Sequence, residues 1–149
     1  MRRAELDSIA LLERLSGRGH ARLVGRAASG IWAALKALGA EGRPVLVPAN
    51  TCYVVLWAAL EAGCSPRLVD VDATSGCLSL ETLHRFEAEL PAAIIPCHLY
   101  GNPAPVSAIT RWARARGIAV IEDAALALGG SADGRPAGGW GDVSVYSFG

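Results

Sequence analysis

The sequence predicts an α/β fold of three layers, in which helices cover both faces of a mainly parallel sheet. Segments typical of strands and helices alternate along most of the 149 residues, and glycines or prolines separate them at regular intervals. The strand segments are continuously apolar, a pattern typical of parallel sheets that are buried on both faces. The length and an apolar fraction of 52% suffice to fill one ordinary domain.

The N-terminal part contains two predicted helices. Residues 4–16 carry leucines and an isoleucine at helical spacing and end before a glycine, which predicts an amphipathic helix. A looser connector follows, and a second helix is predicted over residues 29–38, again ended by a glycine. We therefore separate residues 1–24, the N-terminal helix and connector, from a domain that occupies residues 25–149.

Strands and helices alternate beyond this second helix. Asn50 and Thr51 are expected to cap a helix that runs to residue 62. Ser79 begins another helix, whose apolar residues, the last of them Leu90, are expected to face inward, and a further helix spans residues 105–116. The predicted strands are residues 45–47, 67–71, 93–96, 118–121 and 142–148.

Charge, hydropathy and cysteine spacing exclude several classes of function. Fourteen basic residues are scattered singly and balanced by fourteen acidic ones, so no nucleic-acid partner is expected. The longest apolar run, residues 52–60, is shorter than the roughly 20 residues of a membrane span, and no apolar signal segment follows Met1. We therefore expect a cytoplasmic protein without a membrane partner. The four cysteines form no CxxC pair, and we interpret at least three as buried thiols.

Several conspicuous side chains have structural interpretations. Three tryptophans on predicted helices are expected to pack in the core, namely Trp32, Trp57 and Trp112. For His98, a hydrogen-bonded structural role and a substrate contact agree equally well with the sequence. Asp70 and Asp72 resemble a pair of carboxylates, but nothing around them indicates a metal, and we predict no metal site.

The architecture itself locates the predicted site. Ligands of parallel sheets bind outside the carboxyl ends of the strands, where this sequence places most of its polar side chains of interest. The motifs GxGxxG and GxxxxGK[ST], which bind dinucleotides and nucleotide phosphates, are absent from the sequence. Asp123 directly follows an apolar strand, where it either caps a helix that begins at Ala124 or acts as a functional carboxylate. The residues alone leave both interpretations open.

Five segments occur in a distinctive order and spacing: VLVPANTCYVVLWAALEAG, PRLVDVD, IIPCHLYGNPAP, GIAVIEDAALALGG and GDVSVYSFG. Together they resemble the DegT/DnrJ/EryC1/StrS sugar aminotransferases, which are fold-type-I pyridoxal phosphate enzymes. The resemblance implies that residues 25–149 are the N-terminal half of an aspartate aminotransferase-like large domain, and so a partial pyridoxal phosphate-binding domain. It also implies that the Schiff-base lysine follows about three positions after Gly149. This chain is then expected to contain no catalytic residue and to be inactive alone.

The resemblance implies roles for individual residues. Asp123 corresponds to the carboxylate that keeps the pyridine nitrogen of the cofactor protonated, which makes the cofactor a better electron sink. Ser147 corresponds to a serine that binds the phosphate, and Cys52 occupies the place of the aromatic residue that stacks on the ring. The residues at the helix start whose backbone amides hold the phosphate are Ala27, Ala28 and Ser29.

Three positions depart from the family pattern. Leu126 replaces the glutamine or histidine that contacts the ring hydroxyl, and a leucine cannot make that bond. Cys52, followed by Tyr53, replaces the stacking aromatic residue. Ala27 and Ala28 replace a Gly-Thr pair, which removes one hydroxyl but retains the backbone amides. The implied pyridoxal phosphate site therefore lacks a ring-hydroxyl partner and a stacking ring at their usual positions.

Two hypotheses about function follow. In the first, the chain is part of a homodimeric pyridoxal phosphate-dependent aminotransferase that transfers an amino group from an amino acid, with glutamate the expected donor, to a nucleotide-linked keto sugar. In the second, it is a non-catalytic module of the same fold, either a truncated product or a unit for binding and assembly. A lysine codon about three positions beyond Gly149 favours the first hypothesis, and a natural stop codon favours the second.

Overall fold

The computed structural model describes residues 3–100 and 102–148, and its centre is a five-stranded parallel sheet. In chain order the strands are β1 (Pro44–Pro48), β2 (Ser65–Val69), β3 (Ala93–Ile94), β4 (Ala119–Asp123), β5 (Ser131–Ala132), β6 (Arg135–Pro136) and β7 (Val143–Val145). The main sheet has the order β2-β1-β3-β4-β7, while β5 and β6 form a separate antiparallel pair. The helices are α1 (Arg3–Ser16), α2 (Ala27–Ala37), α3 (Tyr53–Glu61), α4 (Leu80–His84) and α5 (Val106–Arg114).

Helices cover both faces of the main sheet, which confirms the predicted three-layer α/β class. Alternate residues of β1 point to opposite faces. Val45 and Val47 pack in one cluster with buried residues of α2 and α3. Leu46 packs in a second cluster with Leu83 of α4 and Ile109 of α5. Because apolar helices bury both faces, every position of β1 is apolar, as the sequence pattern indicated.

The helix after β2 begins as predicted but ends early. Ser79 caps α4 in a reciprocal arrangement with Thr82: the Thr82 N–H donates to Ser79 Oγ at 3.3 Å, and the Ser79 N–H donates to Thr82 Oγ1 at 3.2 Å. After α4 the chain continues as a short 3-10 helix, Glu87–Glu89. Leu90, expected to face inward, is 67% exposed and has a φ of 45°. That expectation was wrong, because the following Pro91 disfavours a helical conformation at Leu90.

The start of α3 also differs from the prediction. The helix begins at Tyr53, and its N-cap is Cys52, whose side chain makes no capping hydrogen bond to the part of the chain described. Asn50 instead donates from Nδ2 to the Gly76 carbonyl at 2.9 Å. Thr51 lies 3.1 Å from the Cys97 Sγ, measured from its Oγ1. The two predicted caps therefore make tertiary contacts, and the capping prediction was wrong.

Two of the three tryptophans are not core residues. Trp112 on α5 is buried, as expected, but Trp32 is 43% exposed and Trp57 is 62% exposed. The sequence of α3, YVVLWAALE, is apolar around most of its circumference. Its periodicity could not identify the face that packs on the sheet.

The last strand is shorter than predicted, and most of the cysteines are buried. Strand β7 spans Val143–Val145, shorter than the predicted 142–148, and Phe148 is exposed. Cys64, Cys77 and Cys97 are buried, which confirms at least three buried thiols, while Cys52 is exposed. Among the helices described, none is long and apolar enough to cross a membrane.

Candidate functional site

Backbone hydrogen bonds continue past the ends of β3, β4 and β7 and bring their carboxyl ends side by side. The Asp123 N–H donates to the Pro96 carbonyl at 2.9 Å, and the His98 N–H donates to the Asp123 carbonyl at 3.0 Å. On the other side Asp123 is the register partner of Val145, and the Ala124 N–H donates to the Val145 carbonyl at 2.8 Å. The backbone of Asp123 is thus held from both sides at the edge where ligands of parallel sheets bind.

The carboxylate of Asp123 is oriented by two donors. Oδ1 accepts the Ala125 N–H at 3.1 Å, and Oδ2 lies 3.7 Å from the Cys97 Sγ. Residues 124–130 form turns, so the interpretation of Asp123 as the cap of a helix starting at Ala124 was wrong. Burial raises the pKa of Asp123, and the hydrogen bonds from Ala125 and Cys97 offset part of that rise.

Cys97 and Thr51 extend this arrangement towards β1. The Cys97 side chain is almost completely buried between the Thr51 hydroxyl and the Asp123 carboxylate. Burial, followed by the charge of Asp123, raises the pKa of the Cys97 thiol well above its ordinary range, so the thiol stays protonated. Three side chains from the ends of three neighbouring strands therefore form one cluster.

The start of α2 lies against the end of β7. Its N-cap, Arg26, is extended and makes no side-chain capping bond to any residue that the structure describes, while its carbonyl accepts the N–H groups of Ser29 and Gly30. Gly30 faces Val145, because a β carbon at Gly30 would lie 3.5 Å from both methyl groups of that valine. Val145 is also the register partner of Asp123. The first turn of α2 and Asp123 therefore both adjoin the same strand end: α2 packs over Val145, and Asp123 lies beside Val145 on β4.

The predicted site residues are distributed over this edge. Ala27 and Ser147 line one open cavity of about 620 Å³, bordered by α1, the connector, α2 and β7. Ala28 is half-buried and Ser29 exposed in the first turn of α2, and Cys52 lies at the start of α3 beyond β1. The structure thus brings together two groups, one at the α2–β7 junction and one around Asp123. Leu126, where the family pattern has a polar residue, is exposed.

Glu122 is the residue of this region that the sequence analysis missed. It is completely buried, and its carboxylate accepts the N–H groups of Gly138 at 2.8 Å, Trp140 at 2.6 Å and Gly141 at 2.5 Å. The Arg18 guanidinium lies 3.7 Å from the same carboxylate and also binds the Gly138 and Gly141 carbonyls. Two features of the sequence could have identified Glu122. It is an acid inside an apolar strand, and the downstream GGWG segment contains glycines whose backbone can approach a side chain closely.

The surroundings of Glu122 also resolve the role of His98. The Ala104 N–H donates to His98 Nδ1 at 3.0 Å, so the ring proton is on Nε2 and donates to Glu122 Oε2 at 3.2 Å. Both ring nitrogens are therefore occupied within the protein, which favours the structural interpretation over a substrate contact. Burial by itself raises the pKa of Glu122, but the hydrogen bonds from His98 and the loop amides outweigh it and hold the pKa below its ordinary value.

Known proteins share this fold over almost the whole chain. The model of the DegT/DnrJ/EryC1/StrS aminotransferase family matches residues 10–149. The chain is 35% identical over 135 residues to the UDP-N-acetyl-3-dehydro-alpha-D-glucosamine 3-aminotransferase of Acidithiobacillus ferrooxidans. This alignment covers 90% of the chain and 37% of that protein. A DegT DnrJ EryC1 StrS aminotransferase from Brucella abortus superposes with a TM-score of 0.94 at 29% identity, over 99% of the chain and 42% of that protein.

A further solved structure is DesI in the presence of its TDP-sugar product, with a TM-score of 0.89 and 28% identity over 100% of the chain and 38% of that protein. The chain spans 37% to 42% of the length of these three relatives. The family model covers far more than half of the chain, and the superpositions confirm that its α/β fold matches that of solved aminotransferases. The chain therefore belongs to the DegT/DnrJ/EryC1/StrS aminotransferase family.

Proposed function

We propose that this chain supplies part of the cofactor site of a pyridoxal phosphate-dependent aminotransferase, which transfers an amino group from glutamate to a nucleotide-linked keto sugar. Family membership supports the reaction class. The substrate class is supported by two relatives, one named for a UDP-linked dehydro sugar and one solved with a TDP-sugar product. Residues 25–149 are proposed as the cofactor-binding domain, and the enzyme as a cytoplasmic homodimer.

The observation that carries this proposal is the placement of Asp123 next to Val145, against which the first turn of α2 packs. The residues around this strand end fit pyridoxal phosphate: a carboxylate lies beside it on β4, and backbone amides at a helix start lie over it. When bound, pyridoxal phosphate supplies an electron sink for the transfer of the amino group. Asp123 would hold a proton on the ring nitrogen, because a carboxylate favours the charged form of a neighbouring base.

The other predicted residues take the remaining places in this proposal. The Ala27 and Ala28 amides at the start of α2, with the hydroxyls of Ser29 and Ser147, would bind the phosphate by hydrogen bonds and by the positive end of the helix dipole. Arg26 is the N-cap residue of α2, and its side chain makes no capping hydrogen bond to any residue that the structure describes. Cys52, at the start of α3, would lie beside the ring in place of an aromatic residue. Ala27 and Ala28 would contribute their backbone amides alone.

Binding of pyridoxamine 5′-phosphate tests the proposal on this chain. This form of the cofactor needs no lysine. The single lysine of the sequence, Lys36 on α2, is paired with Glu41. We expect calorimetry to show saturable binding, and Asp123→Asn to weaken the affinity about tenfold or more. A factor of ten corresponds to losing about one pKa unit of stabilisation of the protonated ring nitrogen by the carboxylate. Asp70→Asn is the matched control, because Asp70 is an exposed carboxylate that follows β2, the edge strand three places from β4. Equal binding by all three proteins would contradict the proposal.

A non-catalytic binding or assembly module is the second candidate, and one observation favours it. Helix α3 exposes Tyr53 by 75%, Trp57 by 62% and Leu60 by 55%. These residues are spaced by four and three positions and lie on one side of the helix, an arrangement typical of a protein interface. Under this second hypothesis the chain binds no pyridoxamine 5′-phosphate, and Trp57→Gln abolishes its association with a partner or second copy in light scattering.

A further inference from the structure

We propose that Cys97 is a positioning residue which, together with Thr51, holds the Asp123 carboxylate in a fixed orientation at the edge of the sheet. The inference rests on the proposed function for the ligand that Asp123 serves. Its structural basis is the cluster of three side chains described above. The family resemblance assigned no role to either Cys97 or Thr51.

The backbone brings these side chains to one place. Cys97 and Asp123 are partners in a parallel bridge just beyond β3 and at the end of β4, so their side chains point to the same face of the sheet. Cys97 Sγ lies 3.7 Å from Asp123 Oδ2 and 3.1 Å from Thr51 Oγ1. A third acceptor, the Ile95 carbonyl, lies 3.6 Å from the same sulfur.

The direction of the hydrogen bonds follows from the charges. The buried thiol stays protonated and therefore carries one hydrogen to donate. Of its three acceptors the Asp123 carboxylate is the charged one, and a charged acceptor forms the stronger bond. The Thr51 hydroxyl can then donate to the sulfur, which produces a chain of donors from Thr51 through Cys97 to Asp123 Oδ2.

This chain of bonds determines what remains available on Asp123. Ala125 N–H occupies one lone pair of Oδ1, and the Cys97 thiol occupies one of Oδ2. Each carboxylate oxygen accepts about two hydrogen bonds, so both keep capacity for a ligand while the plane of the carboxylate is held. Replacing Cys97 with valine removes the donor to Oδ2. The ionised form of Asp123 then loses a stabilising partner inside a largely buried site.

The pKa of Asp123, measured by carboxyl carbon NMR in this chain without any cofactor, tests the inference. Besides Cys97, His98 is the titratable group near this carboxylate, and the variants leave it in place. We expect Cys97→Val to raise the pKa of Asp123 by about 0.5 to 1 unit. Cys97→Ser, which keeps a donor, should restore most of the original value. Cys64→Val is the matched control, since Cys64 is a buried thiol that donates to the Ala40 carbonyl.

Two results would overturn the inference: an Asp123 pKa in Cys97→Val within about 0.2 units of the original, or an equal shift in Cys64→Val. If Cys97→Val does not fold, Thr51→Val decides, because removal of the hydroxyl that supports the thiol should still raise the pKa, and an unchanged value contradicts the role. Titration with pyridoxamine 5′-phosphate separates this inference from the proposed function. A pKa shift without binding in the original chain refutes the function alone, and binding without a pKa shift refutes the positioning role alone.

Discussion

Replacing Glu122 with glutamine tests the buried hydrogen-bond network beneath the candidate site. The substitution keeps the shape of the side chain and exchanges one carboxylate oxygen for an NH2 group. Oε1 accepts the N–H groups of Trp140 and Gly141, and Oε2 accepts those of Gly138 and His98. Either orientation of the glutamine amide therefore places its NH2 group against two donors. At least two buried N–H groups lose their acceptor.

The expected loss of stability can be worked out from these contacts. An unsatisfied buried donor costs about 1 to 3 kcal/mol, so two of them cost about 2 to 6 kcal/mol. Arg18 adds little to this sum, because its guanidinium keeps its bonds to the Gly138 and Gly141 carbonyls at 2.8 and 2.7 Å. A loss near the middle of this range is a large part of the about 5 to 15 kcal/mol that stabilises a typical domain.

Urea unfolding followed by tryptophan fluorescence measures this loss. Glu89→Gln is the matched control, because Glu89 pairs with Arg67 at 3.1 Å on the surface, where an ion pair is worth at most about 1 kcal/mol. The pKa of Glu122 is held below its usual 4.5, so its contribution is present above that pH and is lost as the pH falls through the folded-state value. A loss below about 1 kcal/mol in Glu122→Gln, or one equal to that of Glu89→Gln, would refute the reasoning.

Three further predictions concern activity and assembly. The chain alone should show no transamination of a keto sugar nucleotide, because Lys36 lies on α2 and is paired with Glu41; turnover above a buffer blank would refute this. It should self-associate, since β7 pairs only with β4 among the strands described and leaves an open edge; a monodisperse monomer in light scattering would argue against it. In a polypeptide that includes the family lysine, Asp123→Asn should reduce turnover by orders of magnitude. Its melting temperature should not fall, because burial raises the pKa of Asp123 and the ionised carboxylate therefore opposes folding at neutral pH. Near-normal turnover would contradict the assignment.

The sequence predicted correctly those structural features that depend on residues close together in the chain. The continuously apolar strands predicted a parallel sheet between two helical layers, because such strands must be buried on both faces. Ser79 was correctly predicted to begin a helix, since its capping partner Thr82 is three residues away. Glycines and prolines bounded the elements, although individual boundaries moved by a few residues. The five family segments led to the same fold and to Asp123 as the central residue of the candidate site.

The tertiary structure decided the features whose partners are distant in the sequence. Asn50 and Thr51 have the chemistry of helix caps, but Gly76 and Cys97 are their actual partners. Whether Trp57 is buried depends on which side of an apolar helix meets the sheet, and local periodicity does not contain that information.

The same reason explains the outcome at the site. Asp123 meets Cys97 across two parallel strands, and Glu122 meets the loop of Gly138 only because that loop returns to the end of β4. Residue types and spacing determined that acids stand at the carboxyl edge of the sheet. Their hydrogen-bond partners and pKa shifts arise from burial and from contacts between separate segments, which exist only once the chain is folded.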